Sequence, residues 1–198
     1  QIRSHGADLC VMAYVIIFVP EGARDIPTHG SICFHPSLLP LHRGPSSINW
    51  PIIGGSTKTG LSIFYPNDGL DEGEILLQKE VDIAPDDTLG DVYFKKIFPL
   101  GLDACVEAAN LIESGNAPKI PQDDSKATYE SWCKKSDARI DWKKPGNEIY
   151  NLIRGCNPQP GAWAEFMGDE YTFFDSRFID EQSAEHFPGQ ILSINAEN

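Results

Sequence analysis

Residues 31–44 read SICFHPSLLPLHRG, an apolar run that ends on a histidine and leads into a turn. Pro36 follows His35 at once, and strand pairing stops there because proline has no N–H to donate. Pro40 and Gly44 then frame a rigid loop. The pattern predicts a strand that delivers His35 to the place where α/β enzymes put reactive groups. A partly buried structural histidine beside a tight loop would give the same local pattern.

A second motif is the acidic loop between two predicted strands. The strands are residues 60–65 and 74–83, and the loop contains the sequence NDGLDEG at residues 67–73. Turns favour Asp, so Asp68 is expected to form the turn, and Asp71 taken alone is consistent with a solvated turn carboxylate. The interpretation of Asp71 therefore depends on the first motif.

The two motifs together, HPSLLPLHRG and GLSIFYPNDGLDEGEILLQKE, resemble the folate-dependent formyltransferase and hydrolase family. Within it the chain is most similar to the amino-terminal hydrolase domains of 10-formyltetrahydrofolate dehydrogenases, which are related to methionyl-tRNA formyltransferases. The resemblance implies that His35 and Asp71 are the catalytic residues. It also implies that Ile17, Phe18 and Val19 line a folate pocket, largely through main-chain groups, together with Asp71. The three side chains are equally consistent with a core.

The chain departs from the transferases at one position. These usually carry an asparagine two residues before the histidine, as a donor to the developing oxyanion, and Cys33 stands there in this sequence. A thiol is a weak donor, so the change weakens the case for a generic transferase. The dehydrogenase-type members also lack this asparagine. The departure therefore favours the hydrolase interpretation.

The resemblance implies hydrolysis of 10-formyltetrahydrofolate to tetrahydrofolate and formate. Histidine is the usual group that serves as both acid and base near neutral pH, so His35 is expected in that role. Asp71 is expected to position and activate water. Two alternatives remain open: formyl transfer to an amine acceptor, either methionyl-tRNA or an amino sugar, and a folate-binding module of weak catalytic activity.

The resemblance also implies an α/β fold in two parts. Residues 1–118 are expected to form a Rossmann-like formyltransferase domain whose amino-terminal part is missing from this sequence. Residues 119–198 are expected to form an incomplete carboxy-terminal domain, a small β-barrel of the oligonucleotide-binding (OB-like) type. Residues 116–125, NAPKIPQDDS, contain two prolines and no apolar periodicity, which indicates a linker.

Local patterns give further predictions. Residues 8–18 read as a buried strand and its exit, and Pro99 is expected to divide two helices. The second helix, residues 100–114, is expected to pack on the core through Leu102, Val106, Ala109, Leu111 and Ile112. A short helix is predicted at residues 145–154. The predicted β-like runs in the carboxy-terminal part are residues 163–167, 171–178 and 190–194.

Composition limits the remaining classes of function. The chain has 198 residues, 41% of them hydrophobic, and a net charge of −13. This hydrophobic fraction supports a packed core, and no run is long enough to span a membrane. The acidic balance makes nucleic acid an unlikely partner, since nucleic-acid binders usually show a basic face. The five cysteines lack C-x-x-C spacing, so we expect no metal site, no disulfide framework and a cytoplasmic location.

The resemblance implies further partners outside this sequence. In full-length dehydrogenases a carrier domain and an aldehyde dehydrogenase domain oxidise the formyl group with NADP. Neither domain is in this chain, so NADP is not expected to bind it. The expected ligand is the folate substrate, and a homo-oligomer is compatible with the sequence.

Overall fold

A four-stranded mixed sheet is the centre of the computed structural model, which describes residues 2–179 and 186–194. The strands lie side by side in chain order: β1 (Cys10–Met12), β2 (Ser31–His35), β3 (Lys58–Phe64) and β4 (Ile75–Asp82). β1 and β2 are parallel, and the other two pairs are antiparallel. The strands predicted around the two motifs are confirmed.

Four α-helices accompany this sheet in the described part of the chain. They are α1 (Glu21–Arg24), α2 (Asn49–Ile53), α3 (Phe98–Glu113) and α4 (Gly146–Gly155). A π-helical segment, Asp91–Ile97, runs directly into α3, and short 3₁₀ turns lie at Ile2–His5 and Asp124–Lys126. No described helix has the length and apolar character needed to cross a bilayer.

The two faces of the sheet have different roles, because successive side chains of a strand point to opposite sides. Ile32 in β2 and Leu61 and Ile63 in β3 belong to the main core, which α3 helps to cover. Cys33 and His35 occupy the alternate positions of β2, where they pair with Phe64 and Ser62 of β3. The pleat therefore places His35 on the face opposite to the main core.

Replacing Ile63 with alanine is expected to lower the free energy of unfolding by about 2–5 kcal/mol, because it leaves a cavity in this core. Ile63 is fully buried. Ile120→Ala is the matched control, since that side chain is half exposed, and its cost should be about 0.5 kcal/mol. Chemical denaturation measures both values. Equal costs for the two variants would contradict the assignment of the core.

Helix α3 packs on the sheet through small residues. Its buried positions are Gly101, Ala104 and Ala108, whereas Leu102 is 57% and Val106 is 62% exposed. A Cβ at Gly101 would come within 2.8 Å of the Phe34 ring, so only glycine allows this close approach. The prediction that Leu102 and Val106 face the core is therefore wrong.

Pro99 does not separate two helices. It lies in the first turn of α3, where proline is tolerated because its position needs no intrahelical N–H. The preceding π-helical segment, Asp91–Ile97, continues straight into it. The chain thus changes helix type beside Pro99 without a break, and the predicted division is wrong.

The first predicted strand is much shorter than residues 8–18. Only Cys10–Met12 pairs with β2. Tyr14 has a φ of 59°, in the left-handed region, which is incompatible with a continuing strand. Beyond it Ile17 is 73% and Phe18 is 65% exposed, so the exit of this segment is not buried.

The carboxy-terminal part contains a separate hairpin, formed by β5 (Ala162–Phe166) and β6 (Asp169–Phe173). Buried residues of this hairpin, of α4 and of the chain on either side of α4 form a second core: Ala138, Ile140, Ile153, Cys156, Ala162 and Ala164. The predicted helix at residues 145–154 is confirmed. The predicted strand at 171–178 ends at Phe173, and residues 190–194 form no strand. The described residues of this part form no closed barrel.

Candidate active site

His35 ends β2 and is buried at the mouth of the sheet. Its ring atom Nε2 lies 2.8 Å from the main-chain oxygen of His42. A carbonyl oxygen can only accept a hydrogen bond, so Nε2 carries a proton and donates it. Nδ1 is then the nitrogen that faces the site. The bond to His42 therefore fixes both the ring orientation and the tautomer.

A buried hydroxyl of β3 supports the loop that carries this carbonyl. Ser62 Oγ donates to the main-chain oxygen of Ser37 at 2.7 Å and accepts from the N–H of Leu39 at 3.1 Å. Gln78 donates to Leu39 O at 2.8 Å and to Ser62 Oγ at 2.9 Å. Sequence reasoning did not identify Ser62 or Gln78 as parts of the site, because a polar residue within a strand carries no local signal for a distant loop.

Asp71 lies in the loop between β3 and β4, and its carboxylate points at His35. Oδ2 lies 3.6 Å from His35 Nδ1 and accepts the main-chain N–H of Gly44 at 2.8 Å. Asp71 itself has a φ of 54°, in the left-handed region. The structure thus brings together the two predicted catalytic residues, with Gly44 of the first motif holding the carboxylate of the second.

The predicted folate-binding segment lies beside the same loop. Arg24, which is buried, donates to the main-chain oxygen of Val19 at 3.5 Å and forms an ion pair with Asp68 at 2.8 Å. Arg24 therefore connects Val19, the last residue of the predicted segment, with the acidic loop. Sequence reasoning missed Arg24 because its ion-pair partner, Asp68, is far away in the chain.

Cys33 stands two residues before His35 on the same strand face. Burial, and secondarily the nearby charge of Asp71, raises the pKa of its thiol to about 12. The thiol is therefore neutral near pH 7. No three His, Cys, Asp or Glu side chains gather into a metal-binding group among residues 2–179 and 186–194.

The linker contributes a residue that sequence reasoning also missed. Gln122 donates from Nε2 to the main-chain oxygens of Asp71 at 2.8 Å and Gly73 at 2.7 Å. Its Oε1 accepts from the buried guanidinium of Arg43. The chain at residues 120–130 therefore packs against the loop that carries Asp71. A polar residue directly after a proline gives no indication of such a contact.

Two family models match the chain. A formyl transferase model matches residues 1–99, and a model described as the formyl transferase C-terminal domain matches residues 133–198. The first covers the sheet, His35 and Asp71, and the second covers α4 and the β5–β6 hairpin.

Curated relatives include dehydrogenases and a transferase. The mitochondrial 10-formyltetrahydrofolate dehydrogenase of Mus musculus is 47% identical over 177 residues, and the cytosolic one of Homo sapiens is 48% identical over 176 residues. Each match covers 89% of this chain, which spans about a fifth (19% and 20%) of their lengths. The methionyl-tRNA formyltransferase of Syntrophus aciditrophicus is 40% identical over 184 residues, 93% of this chain and 58% of that protein.

A solved structure shows the same fold. HypX from Aquifex aeolicus, in complex with tetrahydrofolic acid, superposes with a TM-score of 0.75 at 18% identity, over 85% of this chain and 29% of that one. At this identity the likeness concerns the fold alone. The two family models and the curated relatives show that the chain belongs to the formyl transferase family.

Proposed function

We propose that this chain hydrolyses 10-formyltetrahydrofolate to tetrahydrofolate and formate. The observation that carries the proposal is the 3.6 Å approach of His35 Nδ1 and Asp71 Oδ2, with Nε2 of the same ring bound to the His42 carbonyl. The identity of 47% and 48% with 10-formyltetrahydrofolate dehydrogenases supports this substrate.

The fixed tautomer favours a water molecule at Nδ1. When the ring is neutral its proton is on Nε2, so Nδ1 offers a lone pair toward the Asp71 carboxylate. Two acceptors that face each other need a donor between them, and the O–H of a water molecule meets this need. His35 and Asp71 therefore orient a water molecule as the nucleophile, with His35 as its general base.

The reaction takes place in two steps at this pair. The water oxygen forms a bond to the formyl carbon as its proton passes to Nδ1 of His35, and the π pair of the C=O bond moves onto the formyl oxygen. The resulting imidazolium has an acceptor at each nitrogen, namely the His42 carbonyl and the Asp71 carboxylate, and both stabilise its charge. The C=O bond then re-forms as the bond from carbon to the folate nitrogen breaks, and the imidazolium gives its proton to that nitrogen. Formic acid leaves and loses its proton to water, which gives formate.

The folate substrate is proposed to bind along Ile17, Phe18 and Val19. The exposed side chains of Ile17 and Phe18 provide apolar surface for an aromatic ring system, and main-chain groups can form hydrogen bonds with the polar edge of that ring system. Arg24 bonds both Val19 and Asp68, and Asp68 belongs to the same loop as Asp71. This proximity supports a pocket that extends from residues 17–19 to the catalytic pair.

Formyl transfer to methionyl-tRNA or an amino sugar is the second candidate. The 40% identity with a methionyl-tRNA formyltransferase favours it, and the same pair of residues would perform the chemistry. Two observations favour hydrolysis instead. Cys33 stands where the transferases usually carry an asparagine, and the net charge of −13 provides little attraction for tRNA.

Incubation of the purified protein with 10-formyltetrahydrofolate alone is expected to yield tetrahydrofolate and formate in equal amounts. Absorbance of the folate and an enzymatic formate assay follow the two products. Release that depends on added methionyl-tRNA or amino sugar would establish the transferase. Tight folate binding without any formyl loss would support a folate-binding module and contradict the hydrolase proposal.

The wider setting of the reaction is also a proposal. Carrier and aldehyde dehydrogenase domains would act with NADP on the released formyl group only in a full-length dehydrogenase. The division of the chain near residue 118 and an OB-like second part stay predictions. Cytoplasmic action is supported by a cytosolic relative, while another relative is mitochondrial.

A further inference from the structure

We propose that Gln122 is a positioning residue that holds the Asp71 carboxylate in its catalytic place. The inference rests on the proposed function, because it assigns Gln122 a part in the step that His35 and Asp71 perform. Gln122 has no direct contact with His35. It acts on the main chain of the loop that carries Asp71.

The side-chain amide of Gln122 is fully engaged. Its two N–H groups donate to Asp71 O at 2.8 Å and Gly73 O at 2.7 Å. Its oxygen accepts from Arg43 Nε at 3.1 Å and Nη2 at 2.7 Å. A flipped amide would place its oxygen against two carbonyl oxygens and its NH₂ group against a guanidinium, so only one orientation satisfies these partners.

Arg43 anchors this amide to the body of the protein. Its side chain is 1% exposed, and it also donates to Asp124 at 2.7 Å and to the Tyr129 hydroxyl at 2.5 Å. Burial alone would lower the pKa of Arg43, but the bonds to Asp124 and Tyr129 outweigh it and raise the pKa. The guanidinium is therefore a permanent, fixed donor for Gln122.

The Asp71 loop needs such an external support. At a φ of 54°, Asp71 is in the left-handed conformation that residues other than glycine rarely adopt, so its surroundings must hold it there. Gln122 bonds the carbonyl groups of Asp71 and Gly73, on either side of Glu72. These bonds fix the direction in which the Asp71 side chain leaves the main chain, toward Gly44 and His35.

The first test compares Gln122→Met with a matched control, Asn49→Leu. Asn49, like Gln122, bridges two carbonyl groups through its side-chain amide, those of Gly155 at 2.9 Å and Gln159 at 3.0 Å. Both substitutions replace such an amide by an apolar side chain of similar size. Gln122→Glu is the second variant, because it keeps an acceptor for Arg43 and replaces the two donors by a carboxylate oxygen, which repels the carbonyl groups of Asp71 and Gly73.

We expect both Gln122 variants to lower kcat about 10- to 100-fold, since misplacement by about 1 Å can cost this much. KM should change less than about threefold, because the folate segment at residues 17–19 does not contact Gln122. Asn49→Leu should lower the melting temperature while kcat stays within about twofold of the wild type. A wild-type kcat in both Gln122 variants, or an equal loss of kcat in Asn49→Leu, would overturn the proposal.

A second measurement needs no substrate. The Gly44 N–H donates to Asp71 Oδ2, so its hydrogen exchange, followed by NMR, reports the position of the carboxylate. Exchange should become faster in both Gln122 variants and stay unchanged in Asn49→Leu. Unchanged exchange, or unfolding of both Gln122 variants, would overturn the proposal. An inactive wild-type protein would contradict the proposed function and leave this test intact.

Discussion

Formate release is expected to fall about 10²- to 10⁴-fold when His35 is replaced by alanine, which is the usual contribution of a general acid–base group. The substitution removes the ring whose Nδ1 lies 3.6 Å from Asp71 and also removes the donor to the His42 carbonyl. The fold should be kept, because alanine is tolerated at the end of β2 and the main core lies on the opposite face of the sheet. Steady-state kinetics with 10-formyltetrahydrofolate measures the effect.

His29→Ala is the control for this prediction. His29 is exposed in the loop before β2, and its removal should leave turnover unchanged. Circular dichroism and thermal melting verify that both variants are folded. Wild-type turnover in a folded His35→Ala protein would show that another group is the base and would contradict the proposed mechanism.

Asp71→Asn is expected to lower kcat by a similar factor, about 10²- to 10⁴-fold. The amide has almost the same volume, and its oxygen can still accept the Gly44 N–H, so the loop should stay in place. The negative charge beside Nδ1 is lost, and with it the stabilisation of the imidazolium formed during attack. Single-turnover formate release separates this chemical step from substrate binding.

Asp82→Asn provides the matched charge change away from the site. Asp82 is exposed at the far end of β4, so its conversion should have no effect on kcat. A folate dissociation constant that rises strongly in Asp71→Asn at unchanged kcat would assign Asp71 to binding and contradict its role in positioning water.

The strands around the motifs could be predicted from sequence because their signals are local. Pro36 ends β2 where the structure ends it, and the glycine-rich loop separates β3 from β4. The buried face of α3 could not be predicted in this way. Their hydrophobicity makes Leu102 and Val106 the expected buried residues, but both are exposed. The helix instead contacts Phe34 at Gly101, where there is no room for a Cβ atom.

The candidate site, too, could be predicted only in part from the sequence. His35 and Asp71 were predicted from two motifs, and the structure brings them together, although their catalytic roles stay a prediction. Gln122 and Ser62 could not be predicted, because their partners are main-chain carbonyl groups far away in sequence. Gln122 donates to the carbonyl of Asp71, and Ser62 donates to that of Ser37. A motif specifies which groups react, while the polar residues that orient them depend on the completed fold.

The pairing of Arg43 with Tyr129 has a consequence for recombining this chain with its relatives. The main-chain N–H of Arg43 donates to the Thr128 carbonyl, and the Arg43 carbonyl accepts from the N–H of Glu130, on either side of Tyr129. Trp50 also donates to the Ser131 carbonyl at 2.8 Å. A chimera joined at residue 118 would combine one parent's catalytic loop with another parent's Gln122. If Gln122 has the proposed role, the segment that must come from one parent extends to residue 131, and a crossover beyond that point keeps Arg43, Gln122 and Tyr129 together.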